Sequence, residues 1–497
     1  MSLLKVKLKR AHFYTCALKA SGDRFHADIS TGQKFMEQYG KWVVGAAFLF
    51  SCVLTVWLIL HRPYLFIRTR RRHIRVETYF LGALFGPLII MAFGALRLHD
   101  VMAGLNGHGG VNPAGILALF LSMVFISIFL DITGAFEYCA KLALKYAGND
   151  GRRLFFSLYV TVSLLTIVTS NDIIILTFTP LVYYFTRHAK VNPVPYLVAE
   201  FFAANTWSML LYVGNPTNIL VASAFRLDFV QYAKWMALPT LAAGSVNAIG
   251  LYLLFHREIS RPLAPFQSAR PADAITDLPG AVMGTALLLA CITGLAVAPR
   301  LGVEMWVVSM TMAFGLLGVL IARRSWARFL GRDMTREGGT GVRRTLGRMP
   351  WTIIPFVLSM FITVESLRRY GITEEAGRFL ERLCGESLIL KTFVYGASST
   401  VAANLLNNIP MTLAYSSIIQ GEEGRALLAA ALSTAAGSNL GANLTPLGAL
   451  AGIMWMCILK EKEVRVGFFQ FIKYGLAITP ASLAACLGVL AAQMAFF

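Results

Sequence analysis

Apolar runs of membrane-spanning length are the feature of this sequence that most constrains its fold. The longest runs approach the roughly 20 residues that a helix needs to cross a bilayer. They recur at Trp42–Leu60, Tyr79–Leu96, Gly115–Leu130, Leu154–Val168, Phe229–Phe255, Ala281–Ala298, Met305–Ile321, Trp351–Val364, Leu388–Ala403 and Tyr474–Phe497. The 497-residue chain is 56% hydrophobic and only 14% charged, unlike soluble domains. We therefore predict an all-α polytopic membrane protein with about 11–13 membrane elements.

Positive charge is concentrated in loops. The net charge is +19, and the segments His61–Glu77 and Arg323–Met349 are the most basic loops. Such loops lie on the cytoplasmic side of membrane proteins, so we expect both there, in a multi-pass protein of a bacterial-type inner membrane. A folded basic face is not indicated, which excludes nucleic acid as a partner. Residues 1–41 form a second basic segment, on the other side of the first predicted span from the loop His61–Glu77. Both flanks of one span cannot lie inside, so the side of the membrane on which this arm lies stays open.

An internal repeat divides the chain. The triplet Leu121–Met123 recurs as Leu358–Met360, 237 positions later. Ser170–Ile173 matches Leu406–Ile409, which pairs Asn171 with Asn407 and the acidic Asp172 with the neutral Asn408; Gly214–Asn218 matches Ala442–Pro446 further on. Because the first repeat begins one span after its basic loop and the second directly after, we predict opposite membrane orientations. Inverted repeats are typical of transporters that work by alternating access.

Two segments should interrupt helices inside the membrane. Gly214–Asn218 and Gly437–Gly448 combine Gly, Pro and Asn in an apolar context. Irregular backbone at membrane depth is tolerated where it is buried in protein or lines a wet cavity, so paired breaks indicate a transport site. The predicted organisation is a basic arm (1–41), leading helices (42–113), repeat 1 with a re-entrant hairpin and a broken helix (114–256), linking helices with a basic cytoplasmic loop (257–350) and repeat 2 with a second hairpin and broken helix (351–497).

Side-chain oxygens and amides at the breaks form the candidate substrate site. They are Thr169, Ser170, Asn171, Asn205, Thr206, Asn215, Thr217, Asn218, Asn404, Asn407, Asn408, Ser438, Asn439, Asn443 and Thr445. Such groups suit a small hydroxylated solute or a hard cation, and helix N-termini beside them suit an anion. Lys and Arg are absent from 169–185, 193–225, 398–420 and 426–459. This favours a neutral, weakly anionic or cationic substrate over citrate.

Asp172 is the candidate proton-coupling residue. A charged side chain costs about 2.5–3.5 kcal/mol at the centre of an inserted helix, so an acid retained there suggests function. Its charge has no counterpart in the second repeat, as expected if one half carries the proton. The alternative is a structural cap on a broken helix, since Thr-Ser-Asn-Asp is good capping chemistry. Glu200 is a second proton-carrier candidate, whereas we expect Glu137 and Glu374 to have a structural role.

We expect no enzyme chemistry, metal or cofactor. The seven cysteines are scattered without C-x-x-C spacing, which argues against a thiolate metal site. Neither H-E-x-x-H nor G-x-S-x-G occurs, and no P-loop is present, so any ATP drive would come from a partner.

The sequence resembles the ArsB-type arsenite efflux permeases of the ion transporter superfamily, which includes NhaD-type sodium/proton antiporters and dicarboxylate carriers. The resemblance runs from about residue 42 to the C-terminus. Its most specific pieces are Leu130–Ala140, Asn171–Val182, Pro350–Glu374, Leu405–Leu413 and Gly437–Trp455. It places Asn171 and Asp172 on the family's Asn-Asp pair, and Asn407, Asn408 and Pro410 on its Asn-Asn-x-Pro. The chain departs from the family at Asn205, where an acid is usual, and at Ser438-Asn439, where Cys-Asp is usual.

The resemblance implies proton-coupled export of arsenite or antimonite through a fold of inverted repeats with re-entrant hairpins. It also implies a cytosolic ATPase subunit as a partner of some members; a second copy of the chain is a further candidate partner. Arsenite at neutral pH is an uncharged trihydroxide, which agrees with a site rich in Asn, Thr and Ser. A sodium/proton antiporter, a di- or tricarboxylate carrier and, from another class, a passive anion channel are the alternatives.

Overall fold

The computed structural model describes residues 39–69, 72–97, 99, 101–102, 112–260, 263, 270–329 and 341–496. Nearly all of the described chain is helical. The helices before the second repeat are α1 (Tyr39–His61), α2 (Tyr79–Ala92), α3 (Pro113–Ile132), α4 (Ala135–Ala147), α5 (Gly151–Val168), α6 (Asn171–His188), α7 (Val194–Trp207), α8 (Pro216–Ala224), α9 (Phe229–Ile259), α10 (Leu278–Val297), α11 (Met305–Phe329) and α12 (Val342–Gly347). The remaining helices are α13 (Ile353–Arg369), α14 (Ile372–Cys384), α15 (Leu388–Leu406), α16 (Asn408–Ile418), α17 (Gly424–Gly441), α18 (Leu450–Glu461) and α19 (Phe468–Phe496).

Long apolar helices make this a multi-pass membrane protein, as predicted. Within the described residues, seven helices are long and apolar enough to cross a membrane, namely α1, α3, α5, α9, α10 with its short extension to Leu301, α11 up to Trp326, and α19. The α2 helix is shorter but equally apolar. Their outward faces carry large apolar side chains such as Trp42, Leu164 and Leu253, each about half exposed or more, as expected for surfaces that face lipid.

A basic loop was expected at His61–Glu77, but most of it is a β-hairpin. Strands β1 (Tyr64–Thr69) and β2 (Arg72–Glu77) pair antiparallel, with Tyr64 opposite Glu77 and Thr69 opposite Arg72. The charge of this segment does not predict a hairpin, but its Tyr-Leu-Phe-Ile and His-Ile-Arg-Val runs have good strand propensity. The basic arm expected at 1–41 and the middle of the basic loop at Arg323–Met349 lie largely outside the described residues.

The order of elements from α3 to α9 recurs from α13 to α19. In both series a long helix leads through a left-handed glycine into a short amphipathic helix, and two helices separated by a tight break then precede a broken helix and a long final helix. The glycines that begin the short helices, Gly134 and Gly371, have φ of +86° and +72° and are 237 positions apart. The glycines that end them, Gly148 and Gly385, keep the same offset, with φ of +57° and +54°.

Packing between the two series is reciprocal. We call α5–α6 hairpin 1, α7–α8 broken helix 1, α15–α16 hairpin 2 and α17–α18 broken helix 2. The second arm of hairpin 1, α6, packs on α18, and the second arm of hairpin 2, α16, packs on α8. The two final helices, α9 and α19, pack extensively on each other. The duplication therefore extends from the order of elements to their contacts, while the opposite membrane orientation of the two series stays a prediction.

The structure corrects the register of the repeat at the breaks. Helix α6 begins at Asn171 and α16 at Asn408, so Asn171 corresponds to Asn408 and Asp172 to Ile409. In the broken helices, Asn215 caps α8 and Ala449 caps α18 with nearly the same backbone angles, which makes Asn205 the counterpart of Asn439. The motif matches that paired Asn215 with Asn443 and Asp172 with Asn408 were therefore wrong in register. The charge of Asp172 still has no counterpart.

The second break is shorter than predicted. Residues 437–441 were expected to be irregular, but they form the last turn of α17. The glycine there serves close packing rather than a break, because a Cβ on Gly437 would lie 2.1 Å from Ser399 Oγ and 2.5 Å from the Gly396 carbonyl of α15. The irregular backbone follows at 442–449 and includes the 3-10 turn Pro446–Gly448. In the first half it spans 208–215, with the 3-10 turn Tyr212–Gly214.

Candidate functional site

Hydrogen bonds join the breaks of both halves into one polar cluster. Its residues come from the tip of each hairpin and from the break of each broken helix. Of the predicted site residues, the buried ones are Thr169, Ser170, Asn171, Asn205, Thr206, Asn215, Thr217, Asn218, Asn407, Asn408, Ser438, Asn439 and Asn443. Asp172, Asn404 and Thr445 are partly buried. Burying this many polar groups is costly unless they bond to each other or to a ligand.

Asn439 is the hub of the cluster. Its Oδ1 accepts hydrogen bonds from Ser208 Oγ (2.8 Å) and Asn215 Nδ2 (2.9 Å). Its Nδ2 donates to Asn218 Oδ1 (2.6 Å) and to the Ala435 carbonyl (2.7 Å) one turn earlier in α17. The hub therefore ties broken helix 2 to the irregular segment of broken helix 1, and every polar atom of its side chain has a partner.

The break of broken helix 1 is closed by its own polar groups. Asn215 Oδ1 caps α8 by accepting from the Thr217 backbone N–H (3.1 Å) and hydroxyl (3.0 Å). Asn218 Nδ2 donates to the Ser208 carbonyl (2.9 Å), which a broken helix leaves without its usual partner. These bonds hold the broken backbone rigid, so Asn215, Thr217 and Asn218 have a structural role in this conformation.

Two consecutive residues of α7 receive side chains from opposite halves. Asn171 at the tip of hairpin 1 donates through Nδ2 to Asn205 Oδ1 (3.0 Å). Asn443 in the break of broken helix 2 donates through Nδ2 to Thr206 Oγ1 (3.1 Å). Since Asn205 and Thr206 are neighbours in the chain, Asn171 and Asn443 meet at the same end of α7.

Hairpin 2 is fixed to broken helix 2 in a similar way. Asn404 Nδ2 donates to the Gly441 carbonyl (2.9 Å), and its Oδ1 accepts from Thr445 Oγ1 (2.6 Å). Asn407, whose φ of +74° turns the hairpin, donates through Nδ2 to the Leu447 carbonyl (3.2 Å). With ψ of 154°, this positive φ falls in a region that residues other than glycine rarely adopt, so the turn at Asn407 is strained.

Four atoms of the cluster are buried without a hydrogen-bond partner among the described residues. They are Ser170 Oγ, Asn171 Oδ1, Asn407 Oδ1 and Asn443 Oδ1. Three are amide oxygens, which only accept hydrogen bonds, and the fourth is a hydroxyl. All four belong to the hairpin tips and to the break of broken helix 2. The cluster thus divides into a saturated part around Asn439 and a part with unsatisfied buried acceptors.

The hydrogen-bond network fixes the orientation of two of these amides. Asn205 Nδ2 donates to the Phe201 carbonyl (3.0 Å), which can only accept, so Asn205 Oδ1 must face Asn171. Asn171 then presents Nδ2 to Asn205 and leaves its oxygen free. In the same way, the Leu447 carbonyl requires Nδ2 of Asn407, whose oxygen is left free. The free atoms at both hairpin tips are therefore acceptors by geometry.

Three predicted residues lie apart from the bonded cluster. The Thr169 hydroxyl donates to the Leu165 carbonyl of its own helix (2.6 Å). Asn408 accepts from Thr412 through its backbone carbonyl (2.7 Å), and its side chain forms no hydrogen bond with the part of the chain that the structure describes. The Ser438 hydroxyl only weakly approaches Thr412 Oγ1 (3.5 Å).

Asp172 occupies the first turn of α6, beside the cluster rather than inside it. Ser170 occupies the N-cap position of this helix, although its hydroxyl makes no capping hydrogen bond, so Asp172 is not the cap. A carboxylate in the first turn is stabilised by the helix dipole. Among the described residues Asp172 has no hydrogen bond or ion pair, but it lies close enough to Glu77 and Tyr79 for electrostatic interaction. Those two residues share Thr352, at 2.5 and 2.9 Å respectively.

Among the described residues, no Lys or Arg side chain forms a hydrogen bond or an ion pair with a residue of the cluster. Within hairpin 2, the lysine Lys391 lies near the opposite end of α15 from the tip and is buried in an ion pair with Glu422. Because that charge is already neutralised, it offers little to a substrate at the tip. The site described here is electrically neutral apart from Asp172.

Ser208 was not among the predicted site residues, whereas Glu200 was predicted only as a second proton-carrier candidate. Ser208 donates towards Asn439 and towards the Asn205 carbonyl (2.9 Å), and only its position one residue after α7 distinguishes it in the sequence. Glu200 is fully buried on α7 and contacts Thr179 of α6, which the sequence could indicate only as an acid in an apolar run.

A multi-pass fold with interrupted helices around a buried polar cluster defines a membrane transporter. A model of the family described as "Citrate transporter" (CitMHS) matches residues 64–435. The chain belongs to this citrate transporter family. It is 28% identical over 420 residues to an arsenical pump membrane protein of Escherichia coli, covering 84% of this chain and 94% of the relative. An arsenical pump membrane protein of Yersinia enterocolitica is 28% identical over 383 residues, with 76% and 86% covered.

A solved structure shares the fold. The crystal structure of the Alcanivorax borkumensis YdaH transporter, described as having an unusual topology, superposes with a TM-score of 0.52 at 13% sequence identity. The match covers 91% of this chain and 98% of that one. The resemblance to ArsB-type permeases and the prediction of a non-enzymatic membrane transporter are thus confirmed.

Proposed function

We propose that this protein exports arsenite, antimonite or a related small oxyanion in exchange for protons, by alternating access. The observation that carries the proposal is the set of free buried atoms at Ser170, Asn171, Asn407 and Asn443, which are three acceptors and one hydroxyl. A ligand that satisfies them must donate hydrogen bonds or carry positive charge.

An uncharged trihydroxide matches this pattern. Each of its hydroxyl groups can donate one hydrogen bond to an amide oxygen, and its lack of charge agrees with a site lacking Lys and Arg. A citrate trianion would bring acceptors to acceptors and would be desolvated without a counter-ion. Sodium is the alternative substrate that also fits these groups, because amide and hydroxyl oxygens coordinate hard cations.

Reciprocal packing of the two halves supports alternating access. The free acceptors belong to both hairpin tips, and each hairpin packs on the broken helix of the other half as well as its own. A movement of one half relative to the other would therefore change the distance between Asn171 and Asn407. Transporters with repeats of this kind commonly bind their substrate between the halves.

Asp172 is the proposed proton carrier. It lies at hairpin tip 1, one residue after Asn171, and is within electrostatic range of Glu77 at the end of β2. Repulsion between two neighbouring acids favours a proton on one of them. Proton binding at Asp172 would then change the charge next to the substrate ligand without changing the ligand itself.

Transport by everted membrane vesicles tests the substrate class. Vesicles washed free of cytosol and energised to an acidic interior are offered arsenite, sodium or citrate separately. We expect accumulation of arsenite, without ATP, that an uncoupler abolishes. Accumulation of sodium or citrate alone would assign one of the alternative functions, equilibration without accumulation would indicate a channel, and a requirement for cytosol and ATP would indicate a cytosolic ATPase partner.

A matched pair of variants ties this transport to the site. Asn171→Ala removes a free acceptor at hairpin tip 1, whereas Asn408→Ala alters a side chain outside the bonded cluster. We expect the first variant to raise the arsenite KM and the second to leave it nearly unchanged. Equal effects of both variants would place the substrate elsewhere.

A further inference from the structure

Glu200 is an acid buried in the protein interior at a distance from the substrate cluster. Its side chain is fully buried on α7. Both carboxyl oxygens lie 3.1 Å from Thr179 Oγ1 on α6, the second arm of hairpin 1. Trp455 of α18 also interacts with the carboxyl group, and its ring packs with Phe201 and Phe471 at ring-centroid distances of 5.2 and 5.6 Å. The acid therefore sits where hairpin 1 meets broken helix 2.

Counting hydrogens around Thr179 assigns a proton to Glu200. The Thr179 hydroxyl has one hydrogen, and its oxygen lies 2.6 Å from the Ile175 carbonyl, which can only accept. That hydrogen is committed to Ile175, so the contact between Thr179 and Glu200 needs a hydrogen from the carboxyl group. A protonated Glu200 that donates to Thr179 Oγ1 satisfies all three groups.

The surroundings of Glu200 supply no compensating charge. Ionisable side chains occur on the helices packed around it, such as Tyr159 on α5, Tyr232 on α9 and Lys473 on α19. Among the residues that the structure describes, only Thr179 and Trp455 interact with the Glu200 carboxyl group. An ionised carboxylate would thus be buried unpaired, which is far more costly than a neutral acid.

One unused donor faces this acid. The indole Nε1 of Trp455 is buried, and within the described part of the chain it has no partner at normal hydrogen-bond geometry. An indole N–H can only donate, so it suits a carboxylate rather than a second donor. Since Trp455 belongs to α18 and Thr179 to α6, a shift between these two packed helices would move Glu200 from one partner towards the other.

We propose that Glu200 is a second proton-binding site of this transporter, switching between Thr179 when protonated and Trp455 when ionised. On release, the O–H bond of the carboxyl group breaks, its electron pair stays on the carboxylate, and the proton passes to water admitted as α6 moves. Thr179 follows Asp172 by seven positions on α6, about 10 Å along the helix. One moving helix would then contact both proton carriers.

Infrared difference spectroscopy of the full-length protein in lipid tests this assignment without any transported solute. We expect a protonated-carboxyl C=O band at neutral pH that disappears in Glu200→Gln. In Thr179→Val the acid loses its acceptor, so the band should move to higher frequency even if Glu200→Gln fails to fold. Asp172→Asn serves as the control and should leave the Thr179-sensitive band in place.

The outcomes separate this inference from the proposed function, on which its role in transport rests. A band that is absent in wild type, or insensitive to both Glu200→Gln and Thr179→Val, overturns the proton site whatever the substrate. If the band behaves as expected while vesicles ignore arsenite, only the proposed substrate is wrong. In vesicles that transport arsenite, Glu200→Gln should lose the stimulation by an acidic interior, and a retained stimulation would exclude Glu200 from coupling.

Discussion

Replacing Asn439 with alanine should destabilise the protein more than replacing Asn443. The Asn439 side chain forms four hydrogen bonds, three of them to the break of broken helix 1. Asn443 forms one bond, to Thr206, and its oxygen is free. Both side chains are fully buried asparagines of the same broken helix, so each variant is a matched control for the other.

The expected magnitude follows from the partners left behind. In Asn439→Ala, Ser208 Oγ retains the Asn205 carbonyl, but Asn215 Nδ2 and Asn218 Oδ1 lose a buried partner. An unsatisfied buried group costs about 1–3 kcal/mol. For the two groups together we expect the free energy of unfolding to fall by about 2–4 kcal/mol. This is less than twice the upper value, because interhelical hydrogen bonds in membrane proteins contribute less than expected. Asn443→Ala leaves one buried group, Thr206 Oγ1, without its partner instead of two, so its loss should be about half as large, about 1–2 kcal/mol.

Thermal unfolding in detergent and substrate binding should therefore separate the two variants. Asn439→Ala should unfold at a clearly lower temperature. Asn443→Ala should unfold at a temperature between those of Asn439→Ala and wild type, and it should bind arsenite more weakly because a free acceptor is lost. Equal unfolding temperatures, or a larger loss of stability in Asn443→Ala, would refute the division of the cluster into a structural hub and substrate ligands.

Two further predictions concern the frame around the site. Gly134→Ala should lower the unfolding temperature more than Gly371→Ala. Both glycines have a positive φ, but a Cβ at position 134 would lie 1.9 Å from the Ala274 carbonyl oxygen, whereas a Cβ at position 371 would meet nothing within 4 Å. Equal shifts in unfolding temperature would contradict the role of this contact. Lys391→Met should cost about 3–5 kcal/mol by leaving Glu422 buried and unpaired, and the added change Glu422→Gln should restore most of it in the same unfolding assay. Failure of that rescue would show that the ion pair is not the cause.

The fold class and the order of membrane helices could be predicted from the sequence, because they depend on composition and hydrophobic periodicity. Apolar runs indicate the membrane spans, and repeated Gly, Asn and Pro residues indicate where helices are interrupted. The alignment of the two repeats at the helix breaks could not be predicted from the sequence. Short motifs such as Gly214–Asn218 and Ala442–Pro446 look alike, but helix starts at Pro216 and Leu450 show that they occupy different positions of the two broken helices.

Roles within the site depend on three-dimensional partners that sequence spacing does not contain. Asn439 and Asn443 are four residues apart and chemically identical, yet one is saturated and the other has a free oxygen. The glycines at 437 and 441 appeared to break a helix, whereas they allow α17 to approach α15. Asp172 appeared to be part of the polar cluster, but among the described residues its carboxyl group forms no hydrogen bond with that cluster and instead lies within electrostatic range of Glu77.

Proton-driven arsenite accumulation by everted vesicles carrying wild type or Asp172→Asn tests the central claim most directly. The amounts of inserted protein are matched, and binding of arsenite at equal pH confirms that the variant's site is intact. Wild type should accumulate arsenite in response to an acidic interior, and Asp172→Asn should bind arsenite without accumulating it. Accumulation by the variant at the wild-type rate would contradict the coupling role of Asp172.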